Sequence, residues 1–280
     1  MLLSAVVALQ ARKEALLSPY LGKAAHALFL RLVADADPMM GARLHDDSEA
    51  KPFTVSGLMG LPDRRATVRI NAGQACFLRF TSYEDDLSSL LAEKVLPLLP
   101  QEFELENTLF SVKDVFLESG AHPLSRRTSY QELAQGHLLE ARSAPRRVKL
   151  FFTSPTTFRS GGKNVPLPLP GLVFGSLADR WNAVSPITIS REVRRYAEEC
   201  VAISQCQLKT RTMEIAGGKQ VGFIGSCSYV ALRHDAYWLR VINLLAEFAF
   251  YSGVGYKTTM GFGQTFTHRF AATRSTSQAS

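Results

Sequence analysis

Strand-like and helix-like stretches alternate along this chain in one order that occurs twice, and that order restricts the fold more than any other feature. Residues 1–9 are an apolar run that reads as a buried opening strand. Ser18-Pro19 offers a helix cap followed by a first-turn proline. Leu21, Ala25, Leu28 and Leu32 then recur at helical spacing, with Ala24 beside them, which predicts an amphipathic helix to about residue 34. Pro38 and Gly41 are expected to end it, and a polar loop carrying Arg43, His45, Asp46, Asp47 and Lys51 follows. Strands are predicted at residues 53–56, 66–70 and 75–81, a helix at 87–99 and a strand at 103–112. The order is β-α-β-β-α-β, the ferredoxin-like split unit.

The second half repeats the rhythm. Strands are predicted at 148–152, 206–215 and 220–232, and a helix containing Trp181 at 172–183. Asp235 caps a further helix with Trp238, Val241, Ile242, Leu245, Phe248 and Ala249 on one face. Gly253 stands where a C-terminal cap belongs, and 263–270 suits a closing strand. The expected class is therefore α+β, with tandem ferredoxin-like (RRM-like) domains and a C-terminal glycine-rich loop. Residues 1–118 form the first domain, 119–147 a linker rich in Ser, Arg, Gly and Pro, 148–273 the second domain, and 274–280 a frayed polar tail.

Lys and Arg outnumber Asp and Glu by 32 to 25, giving a net charge of +7 and a pI near 9.3. That surplus suits a polyanionic partner, although charge alone fits a merely basic soluble protein equally well. The apolar opening has no basic n-region and no clear cleavage site, so it does not read as a signal peptide. No stretch approaches the ~20 apolar residues that span a bilayer. Cys76, Cys200, Cys206 and Cys227 form no C-x-x-C pair and read as scattered buried thiols. A cytoplasmic protein with no membrane association, no metal and no cofactor is expected.

The most specific local signal is Gly253-Val254-Gly255-Tyr256-Lys257-Thr258-Thr259-Met260-Gly261-Phe262-Gly263. Two Gly-x-Gly steps flank five residues that include a lysine. Such glycine density permits positive φ and close approach of a ligand, so that amide groups can face phosphates. Thr258 breaks the dinucleotide fingerprint, no Gly-Lys-Ser/Thr makes a P-loop, and the loop follows a helix instead of opening one. A ligand-free bulged hairpin is the competing reading.

This loop after a helix near the C-terminus resembles the signature of the RAMP superfamily of CRISPR proteins, and more closely its repeat-processing endoribonucleases. Two further stretches carry the resemblance: Leu44-His45 with Lys51-Pro52-Phe53-Thr54-Val55-Ser56, and Thr153-Ser154-Pro155-Thr156-Thr157-Phe158-Arg159 with Pro166-Leu167-Pro168. The resemblance implies single-stranded or hairpin RNA as substrate, CRISPR repeat RNA as partner, subunits of a CRISPR effector complex as further partners, and cleavage without a metal. It assigns acid or base chemistry to His45 and charge stabilisation to Lys51. His26, which a helical wheel sets away from the Leu21/Leu28/Leu32 stripe, is the candidate third catalytic residue. RNA contacts are expected at Gly253, Gly255, Lys257, Gly261, Gly263, Arg159 and Lys163.

Residue chemistry suits these roles. An imidazole with an ordinary pKa of about 6.5 populates both protonation states near neutrality. An ammonium stabilises charge developing on a phosphorane. His122, His137, His234 and His268 have no motif around them and read as non-catalytic. Basic clusters at Arg64/Arg65/Arg69, Arg142/Arg146/Arg147/Lys149 and Arg191/Arg194/Arg195 are expected to line a charged cleft between domains. A RAMP-fold subunit that binds guide RNA without cutting it is the main alternative, yet it gives no reason for His45, Lys51 and His26. An unrelated small-molecule α+β enzyme leaves the glycine loop unexplained.

Overall fold

The structure, a computed structural model, describes residues 1–18, 21–46, 51–61, 67–139, 144–215 and 218–268. The first half runs β1 (Leu2–Ala11), β2 (Ala15–Leu17), α1 (Gly22–Ala36), α2 (Pro38–His45), β3 (Phe53–Val55), β4 (Val68–Ile70), β5 (Ala75–Ser82), α3 (Asp85–Leu90, continued by a π turn over Leu91–Val95), β6 (Glu102–Leu105), β7 (Thr108–Phe116) and β8 (Arg126–Thr128). Its sheet has the order β3-β5-β1-β7-β6, with β8 also paired to β1, and every pairing is antiparallel.

The second half runs α4 (Tyr130–Ala134, continued by a π turn over Gln135–Leu139), β9 (Arg147–Thr156), β10 (Phe158–Ser160), β11 (Lys163–Val165), α5 (Pro170–Val184), α6 (Val193–Cys200), β12 (Val201–Ile215), β13 (Gly218–Ala231), α7 (Ala236–Ser252) and β14 (Thr265–Phe266). The sheet order β12-β13-β9-β14 repeats the order β3-β5-β1-β7 of the first half, so both halves are ferredoxin-like.

β1 explains its own composition. Leu3, Ala5, Val7 and Leu9 enter a core with Ala25, Leu28 and Phe29 of α1, while Leu2 and Val6 enter the other half's core with Trp181 and Phe248. A strand covered on both faces reads as a continuous apolar run and loses the alternation of a half-exposed one.

Several local expectations are corrected. Ser18 does not cap α1: Leu21 occupies that position without a side-chain cap, and Pro19 lies outside the described residues. Pro38 and Gly41 do not end in a loop. Asp37 accepts from Met39 N and Met40 N, each at 3.0 Å, and Pro38 opens α2, which therefore carries Arg43 and ends at His45. The strand expected at 103–112 is a hairpin turned at Glu106 and Asn107, both with positive φ. Among the described residues β4 pairs with β2 alone, in a separate ribbon.

The segment read as a linker is structured over much of its length. Ser129 and Glu132 form a reciprocal capping box for α4. Tyr130 is buried edge-on to Trp181, and its hydroxyl donates to Tyr83 O across the two halves at 2.5 Å. Cys206 is exposed, opposite buried Cys227 on the neighbouring strand, so the thiols are not all buried. Among the described residues no helix is long and apolar enough to cross a membrane.

Candidate nucleic-acid interface

The glycine-rich loop leaves α7, crosses the end of the first half's sheet and returns as β14. Its backbone amides are largely committed to protein carbonyls. Val254 N donates to Gly263 O at 2.9 Å, Tyr256 N to Thr157 O at 2.8 Å, Gly261 N to Val55 O at 2.8 Å and Gly263 N to Pro155 O at 3.0 Å. Gly253 donates back to Ala249 O as the cap of α7. These amides therefore do not present a phosphate cradle, contrary to the sequence expectation.

Close approach is real, but the protein's own backbone makes it. At Gly255, with φ +85°, a Cβ would lie 2.4 Å from Thr157 O; at Gly261, with φ +84°, it would lie 3.1 Å from Gly22 Cα. The loop thus locks the end of β9 to the start of α1 and to β3.

The loop's outward chemistry lies in its side chains. The Arg159 guanidinium from β10 lies 5.4 Å from the Tyr256 ring centroid, and the Lys257 ammonium lies 5.6 Å from the same centroid. Lys257 itself adopts φ 60°, so a left-handed turn displays it beside Tyr256. The three form one aromatic and basic surface of the kind that binds single-stranded nucleic acid. Lys163 is exposed on β11 of the same hairpin, where it pairs with Ser160.

The proposed catalytic residues come from adjoining elements. His45 is exposed at the C-terminal end of α2, and Lys51 stands two residues before β3; residues 47–50 between them lie outside the described residues. Arg43, Asp46 and Lys51 line a cavity of about 260 Å³ with Glu84 and with Ala183 and Val184 of the other half. Arg43 forms a two-pronged ion pair with Glu84. His26 is buried, although a helical wheel sets it away from the Leu21/Leu28/Leu32 stripe. It is 8% exposed and stacks on Phe53 with centroids 5.8 Å apart, because β3 covers that flank of α1.

The expected charged cleft is only partly assembled. Arg69 pairs with Glu14, Arg194 with Asp179 and Arg195 with Glu192, at 2.6, 2.7 and 2.7 Å. Arg194 and Arg195 sit on α6, which packs against α5, α7 and β12. Arg64, Arg65 and Arg142 lie outside the described residues. A larger cavity of about 330 Å³ does open between the halves, lined by Ser56–Leu61, Thr153, Ser154, Arg211 and Gly261. Among the described residues no group of three or more His, Cys, Asp or Glu side chains could hold a metal ion.

Two arginines of the site carried no motif. Arg79 is 1% exposed within β5, and burial pushes its pKa down to about 9. Arg180 of α5 is partly buried, and burial lowers its pKa too. A lone arginine in the apolar strand 75–82 was the available signal for the first.

Comparison with known proteins bears on the family and the fold. Residues 150–265 match the family model described as CRISPR-associated endoribonuclease Cas6, and residues 1–135 match the CRISPR Cas6 N-terminal domain. A CRISPR-associated endoribonuclease Cas6 of Streptococcus thermophilus is 27% identical over 162 residues, 56% of this chain and 66% of that protein. One from Mycobacterium tuberculosis is 28% identical over 146 residues, 50% of this chain and 45% of that protein. The match thus spans under two thirds of either curated relative. Among solved structures, a Cas6 product complex superposes with a TM-score of 0.79 at 26% identity, covering 95% of this chain and 99% of that one. Thermus thermophilus Cas6 superposes at 0.71 with 27% identity, covering 95% and 98%.

Proposed function

From the premise that this chain belongs to the CRISPR-associated endoribonuclease Cas6 family, we propose that it cuts CRISPR precursor transcripts within their repeats, without a metal ion. The observation that carries the proposal is the convergence on β3. Lys51 precedes that strand, His26 stacks on its first residue, and Gly261 of the loop donates to its last. His45 ends α2, at the start of the connection that leads into β3.

The step needs no outside reagent. The 2′-oxygen next to the cut attacks phosphorus while its proton passes to a base. The bond from phosphorus to the 5′-oxygen breaks, and that oxygen takes a proton from an acid. The products are a 2′,3′-cyclic phosphate and a 5′-hydroxyl. We assign acid or base work to His45, worth ~10²–10⁴-fold in rate, and stabilisation of the phosphorane oxygens to Lys51. The burial of His26 behind β3 fits the third role less well than exposed His45 fits the first. Arg159, Tyr256, Lys257 and Lys163 contact the RNA.

The test is a gel with labelled repeat RNA, in excess EDTA, beside a copy bearing a 2′-deoxy at the cut. Cleavage of the first alone, leaving a cyclic phosphate, supports the mechanism. Loss of cutting on chelation, restored by magnesium, refutes it. An RNA bound tightly but never cut favours the non-catalytic binding subunit.

A further inference from the structure

Two arginines outside the proposed chemistry hold the glycine-rich loop at its opposite ends. Arg180, near the end of α5, donates from Nη1 to the carbonyls of Ser252 and Gly253, each at 2.8 Å, and from Nη2 to the carbonyl of Gly255. Terminal carbonyls of a helix have no amide of their own helix to accept from. One guanidinium therefore caps α7 and fixes the direction in which the loop departs.

Arg79 closes the other end from the opposite half of the molecule. Its Nη1 donates to Gln264 Oε1 at 2.7 Å, its Nε to Ser4 Oγ at 2.8 Å and its Nη2 to Phe250 O. Gln264 donates onward from Nε2 to Thr54 Oγ1 at 3.2 Å, and from its backbone N to Ser154 Oγ at 2.9 Å. The guanidinium lies 4.4 Å from the Phe250 ring centroid and 5.2 Å from that of Phe266. A planar fork with five donors can satisfy several diverging acceptors at once, which a lysine cannot.

We propose that Arg180 and Arg79 are positioning residues of the RNA site, gripping the start and the end of the glycine-rich loop and so setting where Tyr256 and Lys257 meet RNA. Neither arginine need touch RNA itself. The proposal rests on the reading of that loop as an RNA contact, and its test separates the two.

The test uses the full chain as Arg180→Met and Arg180→Lys, the second keeping charge and stem in case the first fails to fold. Hydrogen exchange of residues 253–264 reads the loop without RNA. In the folded variant these amides should exchange about tenfold faster while those of β1 and β5 keep wild-type rates. Affinity is read with repeat RNA carrying a 2′-deoxy at the cut, and the single-turnover rate with saturating cleavable RNA. The dissociation constant should rise about tenfold, the order seen when an outer residue that orients a contacting one is lost. The saturated rate should change by less than about threefold, since the proton-transferring groups are untouched. Adding Lys257→Ala should cost little more, because both changes act through one contact.

Unchanged exchange and affinity in a folded Arg180→Met overturns the proposal, as do fully additive effects with Lys257→Ala. A wild type that binds no repeat RNA sinks the RNA reading alone. The exchange measurement then decides the gripping of the loop by itself.

Discussion

The two ferredoxin-like sheets share a strand order and differ in what covers their second face. In the first half, α1 covers one face of the sheet, and the other carries Ser4, Thr54, Ser56, Arg79 and Thr81, all at most 1% exposed against the second half. Thr81 donates to Tyr251 O at 2.6 Å, and Arg79 reaches Phe250 and Gln264. In the second half, Val148, Leu150 and Phe152 face the helices, while Lys149 and Phe151 turn to the other face, where Lys149 lies 5.0 Å from the Phe151 centroid. Gln205 and Gln207, in register with that row through Ser228 and Ser226, are exposed. One fold used twice thus gives a sheet that is spent on joining the halves and a sheet that stays open. On the proposed function, the second half would offer the binding surface and the first would supply chemistry from its edge.

The largest expected break in that division comes from chemistry. His45→Ala should lower single-turnover cleavage by at least ~10²-fold with RNA affinity nearly unchanged. An affinity loss as large as the rate loss would put binding on the first half too and undo the comparison. Next comes the buried face. Arg79→Met leaves Gln264, Ser4 and the Phe250 carbonyl without their donor, and should cost about 3 kcal/mol of stability. Lys149→Ala on the open sheet should cost within about 0.5 kcal/mol. Chemical denaturation of the pair reads the contrast directly; equal losses would mean both sheets are equally committed.

The loop between these surfaces gives a finer test. Gly255→Ala should lose stability before it loses affinity, by more than the ~1–2 kcal/mol of a left-handed residue alone, because its Cβ meets Thr157 O. A stable Gly255→Ala with weakened binding would restore the reading in which the glycines face RNA. Lys257→Ala should leave stability alone and reduce the salt slope of binding by about one unit, whereas His45→Ala should leave that slope unchanged.

What the sequence disclosed follows from how local each cause is. The strand order, the Asp235 cap of α7 and the glycine loop's position depend on neighbours within a few residues, and all were readable. Three further local signals are present that the sequence expectations do not use. Asp37 before Pro38 marks a helix start, Ser129 and Glu132 a capping box, and Val193, Tyr196, Ala197 and Cys200 the apolar face of α6. The roles of Arg79 and Arg180 are not readable locally, since their acceptors lie 75 to 185 and 72 to 75 residues away. A shorter separation conceals the burial of His26: β3, which covers it, follows only after α2 and residues 46–52. The glycine density marks a place of close approach, but nothing local says whether a ligand or the chain itself does the approaching.

The smallest effect concerns His122, at the margin of the buried side of the comparison. Its ring packs edge-on to Phe77 and stacked on Phe116, with centroids 5.3 and 5.5 Å away. Its Nδ1 accepts from Leu124 N at 3.0 Å, so the neutral ring carries its proton on Nε2. Burial, and then the charge of Arg79, hold its pKa below the ordinary value. As pH falls through about 6.5 the unfolded chain takes up this proton first, so the folded state loses stability between there and the lower folded pKa. Protonation would also set an Nδ1 proton against the Leu124 amide. His122→Phe keeps an aromatic ring and removes the titration. Its melting temperature should therefore fall less than that of wild type between about pH 7.5 and pH 5.5, while repeat-RNA affinity at about pH 7.5 stays the same. Parallel melting curves for the two proteins would remove His122 from the account of acid sensitivity. A loss of affinity would extend the binding surface onto the half that the comparison reserves for chemistry and for joining.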